Sequence, residues 1–230
     1  MNHELRRSAA HVFVESLAAP TLNDDDQHHL VRVLRLRAGE VVSASDGHGG
    51  WRMCRFAGGD VLEPDTEIAH SAAALAPITI GFALPKGDRP EWIVQKLTEI
   101  GADRLVVLHA ERSVVRWDAD RSERNLVKLR RVAREASMQS RRVWLPVIEG
   151  PCALSVVAGG GAIALAEPEG EPLSLATPTV LIGPEGGWSP DELGAHRRHV
   201  RLGSTILRVE TAALVAAARL VALRDDAFTA

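Results

Sequence analysis

The spacing of apolar positions changes character partway along the chain. Residues 11–14, 40–45 and 51–57 are strand-length runs, and the last two read as a hairpin joined by Asp46-Gly47-His48-Gly49-Gly50. Before the hairpin, Asn23 or Asp24 can cap a helix to about Leu36 with Leu30, Val33, Leu34 and Leu36 on or near its buried face; Asp24, Asp25 and Asp26 complement its dipole. A low-complexity linker occupies residues 71–77. Beyond it, apolar runs at 78–84, 104–108, 143–148, 162–166, 179–182 and 199–202 alternate with helical periods, as in an α/β layer with a mostly parallel sheet. Two domains are expected, 1–72 and 73–230.

Three helices of the second part carry detail. Asp88-Arg89-Pro90-Glu91 has capping-box spacing and opens a helix that turns Trp92, Ile93, Leu97 and Ile100 inward and ends at Gly101. In the helix over 122–140, Leu126, Leu129, Ala133, Ala136 and Ser140 recur at spacings of three and four, so one face is buried. Eight arginines and lysines stand against two glutamates between 121 and 142, a local charge of +6. The last helix, 209–223, is apolar on nearly every side and needs cover on more than one face, either wholly within its own domain or from its own sheet and a second subunit.

With 46% hydrophobic and 25% charged residues the composition suits a soluble globular protein. No apolar run spans a bilayer and MNHELRRSAA lacks a signal-peptide core, so no membrane association and a cytoplasmic location are expected. Cys54 and Cys152 read as reduced thiols. His196 and His199 have i, i+3 spacing without a third ligand, and cationic character at a helix C-terminus explains them; no metal is expected. The net charge of −3 divides into −4 over residues 1–76 and +1 over 77–230, so any nucleic acid must be held by local patches.

Candidate chemistry concentrates in residues 179–211. Gly183-Pro184-Glu185-Gly186-Gly187 follows one apolar run and Leu202-Gly203-Ser204-Thr205-Ile206-Leu207-Arg208 follows another, and both turns should face one pocket. Ser189-Pro190-Asp191-Glu192 is a second capping box. No lysine stands in a Gly-Lys-Ser/Thr context, which excludes a P-loop. Gly159-x-Gly161-x-x-Ala164 precedes a strand instead of following one and reads as a turn. Gly187-Trp188-Ser189 lacks the closing glycine of a nucleophile elbow.

LIGPEGGWSPDEL and LGSTILRVETAAL, with LPKGDRPEWIVQKLTEIGA, ERSVVRW, REASMQSRR and HHLVRVLRLRAGE in order, resemble the ribosomal RNA small subunit methyltransferase E family of the SPOUT superfamily over nearly the whole chain. The resemblance implies a trefoil-knotted, mostly parallel sheet with helices on both faces, preceded by a small PUA-like β-barrel. It implies S-adenosyl-L-methionine as cofactor, N3 of a uridine in 16S ribosomal RNA as target, the RNA or the small subunit as partner, and a homodimer. Arg208, Glu185 and Glu210 would be catalytic. Leu165, Ile182, Gly183, Gly186, Gly187, Leu202, Ile206, Leu207 and Thr211 would bind the cofactor, with Ile182, Leu202, Ile206 and Leu207 enclosing the adenine. Arg32, Arg35, Lys86, Arg89, Arg112, Gln139, Arg141 and Arg142 would contact RNA; Glu135, Gln139 and Arg142 match the family's E-A-x-x-Q-S-x-R pattern. Trp188 is expected as a lid or interface residue, and Arg208 either pairs with Glu210 or Glu192 or neutralises a uracil anion. The alternatives are a catalytically silent RNA-binding protein of this fold, an enzyme that binds a different nucleotide in the same loops, and a methyltransferase for another RNA.

Overall fold

The computed structural model describes residues 3–157, 162–195 and 198–228. Two compact units emerge: Met1–Ala74 with Arg134–Leu145, and Leu75–Ala133 with Pro146–Ala230. The inclusion of Arg134–Leu145 in the first unit departs from the division at residue 72 that the linker suggests.

The first unit holds helix α1 (His3–Arg7) and strands β1 (Ala10–Phe13), β2 (Val41–Ser45), β3 (Gly50–Gly58) and β4 (Val61–Pro64) in spatial order, with β5 (Ala69–His70) paired to β3. The expected hairpin is β2 with β3, Val42 opposite Cys54 and Ser45 opposite Trp51. Asp46 Oδ1 shapes its turn by accepting from the N–H groups of His48 and Gly50 at 2.7 and 3.0 Å. Alternate residues Val12, Val42, Ala44, Cys54, Phe56 and Leu62 fill the core, and burial pushes the Cys54 thiol up to about 11.

Helix α2 (Asp24–His28) begins as expected, with Asn23 Oδ1 accepting from Asp26 N at 2.8 Å. It then widens into a π turn over His29–Val33 and stops short of Leu36. The wider turn shifts the buried stripe: Leu30 is fully buried, whereas Val33 and Leu34 are 60% and 46% exposed, contrary to the helical period. Asp26 does more than complement a dipole, because it is buried and ion-paired to Arg134. His11 is buried in the same unit: its Nε2 donates to Arg142 O at 3.1 Å and its Nδ1 lies 2.8 Å from Ser43 Oγ.

The second unit is built on strands β6 (Thr79–Ala83), β7 (Arg104–Leu108), β8 (Val147–Cys152), β9 (Ile163–Pro172), β10 (Thr179–Ile182) and β11 (His199–Arg201), in spatial order β11-β9-β10-β6-β7-β8. Every pairing is parallel. Register explains the layers: Ile80, Phe82, Leu105, Val107, Val180 and Ile182 point to one face, and Val106, Leu108, Leu165 and Leu181 to the other. The first face is covered by helices α3 (Arg89–Ile100), α4 (Ala119–Ser140) and α6 (Val209–Phe228), the second by α5 (Pro190–Ala195), Trp188 and the turn at Leu154–Val156. Gly81 is required here, since a Cβ would sit 2.4 Å from Leu181 Cδ2.

Several local expectations change. β8 starts at Val147 instead of residue 143, because residues 143–145 belong to the first unit. The Asp88 side chain makes no cap bond, and Glu91 pairs with Lys128 at 2.7 Å, so that capping box is not closed. Ile93 and Leu97 are buried as expected, but Trp92 is 45% exposed. His199 lies on β11 and not on a helix, while His196 and the turn over Gly159 and Gly161 fall outside the described residues. In α6 the buried stripe is Ala212, Ala213, Ala216, Ala217 and Leu220, packed within the subunit.

Candidate active site

Two loops leave the C-terminal ends of parallel strands β10 and β11, which flank β9, at the edge where α/β sheets bind ligands. Residues 183–189 follow β10, and residues 202–208 connect β11 to α6. The Ser189 box is closed: Ser189 N donates to Glu192 Oε2 at 2.9 Å and Glu192 N to Ser189 Oγ at 3.2 Å. Gly187 has φ of +70°, and its N–H donates to Pro184 O at 2.9 Å. At Gly183 a Cβ would meet the Trp188 ring at 2.9 Å. Trp188 is therefore a core residue, buried with Nε1 donating to Ala166 O at 3.3 Å, and neither lid nor interface.

Of the residues expected around a cofactor, Gly183, Gly187, Leu202 and Leu207 are half-buried at the loops, and Gly186 and Thr211 are exposed. Leu165 and Ile182 are buried on opposite faces of the sheet. Ile206 is 91% exposed and encloses nothing in this subunit.

Charged groups converge at the start of α6. Arg89 Nη1 lies 3.6 Å from Glu210 Oε1 and 3.7 Å from Glu185 Oε1. Glu210 has a side chain only 16% exposed, and its Oε2 is buried without a hydrogen-bond partner among the described residues. Arg208 is exposed and makes no ion pair among the described residues, so the pairing with Glu210 or Glu192 is not formed; Arg89 takes Glu210. The sequence places Arg89 with the RNA contacts, and no local signal marks it as the partner of two carboxylates that lie far along the chain.

The other expected RNA contacts divide between the units. In the second, Lys86 is exposed, and the exposed Arg112 donates from Nη1 to Gly186 O at 3.2 Å. In the first, Arg32, Arg35 and Gln139 are exposed and Arg142 is half-buried. Arg141 is spent on structure: with φ of +59° it donates to Met138 O at 3.2 Å and Ser8 O at 3.0 Å. Arg134 and Arg130 of the basic helix are likewise tied to Asp26 and to Ile148 O. Among the described residues no group of three or more His, Cys, Asp or Glu could hold a metal, and no helix is long and apolar enough to cross a membrane.

The two units, a small β unit and an all-parallel layered sheet with glycine-rich loops at its strand ends, correspond to two RNA methyltransferase family domains. Residues 72–221 match the RNA methyltransferase domain and residues 22–60 the RNA methyltransferase PUA domain. The chain is 34% identical to "Ribosomal RNA small subunit methyltransferase E" of Mycobacterium tuberculosis, covering 86% of this chain and 84% of the relative, and 34% identical to that of Synechocystis, covering 91% and 75%. Among solved structures, a probable rRNA-methyltransferase from Porphyromonas gingivalis superposes with a TM-score of 0.80 at 28% identity over 95% of this chain and 99% of that one. A ribosomal RNA small subunit methyltransferase E from Neisseria gonorrhoeae bound to S-adenosyl methionine gives 0.75 at 25% identity over 91% and 95%. The chain belongs to the ribosomal RNA small subunit methyltransferase E family.

Proposed function

We propose that this protein is a cytoplasmic methyltransferase that transfers the methyl group of S-adenosyl-L-methionine to N3 of a uridine in 16S ribosomal RNA, acting on the RNA or the small subunit. The observation that carries the reading is the convergence of Glu185, from the first glycine loop, and Glu210, just after the second, on Arg89 in a chain of this family.

The loops fit an adenosyl group. Leu202 and Leu207 supply half-buried apolar walls, Gly186 and Gly187 bring backbone without side chains, and a Cβ built on Gly187 meets nothing within 4 Å. Ile182 and Leu165, buried on opposite faces of the sheet, would fix the strand ends from which the loops leave, with Gly183 and Thr211 at the edge of the site. When bound, adenosylmethionine supplies an electrophilic methyl on a sulfonium centre.

The residues of the chain must deal with a weakly acidic imide. The N3 proton has to leave as the nitrogen lone pair forms its new bond to carbon, and negative charge builds on the uracil carbonyls. Glu210, whose Oε2 has no hydrogen-bond partner among the described residues, is suited to accept that proton. Arg208, exposed and without an ion pair among the described residues, is free to face the carbonyl charge, and Glu185 helps to hold Arg89. Arg32, Arg35, Lys86, Gln139 and Arg142 would hold the RNA.

The reading extends to a trefoil knot and a homodimer. In support of the knot, β11 lies at the sheet edge beside β9, yet α6, which follows at once, returns to cover β6 and β10 in the middle. In support of the dimer, α6 leaves Leu214, Val215 and Val221 half-buried and Ala218 and Leu223 exposed. Because Ala216 and Ala217 are fully buried in the subunit, Ala218→Arg is the substitution that tests the interface; a sedimenting monomer with lost activity is expected. The deciding experiment for function is mass mapping of 16S RNA from a strain lacking the gene, complemented with wild type, Arg208→Ala or Glu210→Gln. Wild type should restore one N3-methyluridine and Arg208→Ala should be slower by about 100-fold or more. Failure of wild type to methylate any 16S uridine at N3 would refute the reading.

A further inference from the structure

Glu192 ties together two loops that lie far apart in sequence. Its Oε2 accepts from Ser189 N, closing the cap of α5, and its Oε1 accepts from Glu111 N at 2.8 Å, a bond the helix does not need. A second tie lies nearby: Arg112 Nη1 donates to Gly186 O at 3.2 Å, and a Cβ on Gly186 would touch Arg112 Cβ at 3.6 Å. The segment that supplies both partners is itself braced. Arg116 Nη2 donates to Ala110 O and Glu111 O, both at 3.1 Å, and Trp117 N donates to His109 Nε2 at 3.3 Å.

We propose that Glu192, with Arg112, is a positioning residue that locks the 183–187 loop onto residues 110–117 and so sets the affinity for adenosylmethionine. The inference rests on the reading of that loop as the methyl donor's site. A loop with three glycines in five positions has wide backbone freedom, and fixing it before the ligand arrives removes an ordering cost from binding. Only a carboxylate serves at position 192. Both partners are N–H donors, so the group between them must accept twice; glutamine offers one oxygen and turns an NH2 toward the other donor.

The test uses the full-length Glu192→Gln, Arg112→Met and double variants, with three readouts: amide hydrogen exchange at Glu111 and Ser189, calorimetric affinity for adenosylmethionine, and kcat at saturating cofactor. Exchange should accelerate at Glu111 or Ser189 in Glu192→Gln. Each single variant should weaken cofactor affinity by about tenfold, and the double little beyond the worse single, because both release the same loop. In Glu192→Gln the kcat at saturating cofactor and RNA should stay within about twofold. Arg112 is exposed, so its variant keeps the question open to measurement if Glu192→Gln does not fold. Unchanged exchange in Glu192→Gln, unchanged affinity, or fully additive losses would overturn the proposal. A wild-type protein without affinity for adenosylmethionine would overturn the reading of the site as well, whereas normal wild-type binding that ignores both substitutions overturns the positioning role alone.

Discussion

Arg134 closes its guanidinium on the carboxylate of Asp26, 108 residues earlier, with Nη1 2.9 Å from Oδ1 and Nη2 bonded to Oδ2. It also donates to Phe13 O at 3.1 Å and lies 5.7 Å from the centroid of the Phe13 ring. Asp26 is almost wholly buried, so the pair sits inside the first unit. A helix whose arginines suggest an RNA-binding face thus supplies one of them to the interior.

Arg134→Met should leave that buried carboxylate unpaired and cost about 3–5 kcal/mol in urea unfolding. A loss below about 1 kcal/mol would show that the pair is replaceable by water. For the same reason a fragment of residues 1–72 should show no cooperative unfolding, since Arg134 and the Arg142 carbonyl are missing from it.

His11 makes stability depend on pH. Burial lowers its pKa from 6.5 to about 4, against the hydrogen bond to Arg142 O, which raises it. The folded state therefore binds the proton less well than the unfolded chain. Stability from this group is complete above pH 6.5 and declines as pH falls from 6.5 toward 4, by roughly 3 kcal/mol over the window. Urea midpoints for wild type and His11→Gln between pH 7 and 5 check this; the variant should lose the slope, and parallel curves would exclude His11 as its source.

Arg89 can be separated from the RNA contacts by salt. Arg89→Gln should slow methyl transfer by about tenfold or more through Glu185 and Glu210, with the salt dependence of RNA binding unchanged. A phosphate contact would instead lower the slope of log K against log salt by about one unit.

Gly183 and Gly187 should respond differently to alanine. Gly183→Ala drives a Cβ into the buried Trp188 ring, so the Trp188 indole N–H resonance should shift and cofactor affinity should fall. Gly187→Ala meets no atom and costs only the left-handed backbone, about 1 kcal/mol, with Trp188 undisturbed. Equal effects on the Trp188 resonance would contradict this packing.

What the sequence determined by itself was whatever depends on neighbours within a few residues. The parallel strands at Thr79–Ala83, Arg104–Leu108 and Thr179–Ile182, the β2–β3 hairpin, the Ser189 cap and the Gly101 terminus all follow from period, turn chemistry and capping, which act locally. Tertiary structure decided which of several locally equivalent charges found a partner. Nothing near Arg89, Arg134 or Arg141 in sequence distinguishes an arginine that pairs with distant acids or carbonyls from one left to solvent, because burial and distance arise only after the sheet assembles. The same holds for the π turn that exposes Val33 and Leu34, for Trp92 turned outward, and for Glu192 reaching Glu111: each is settled by packing energies that outweigh a local preference worth about 1 kcal/mol or less.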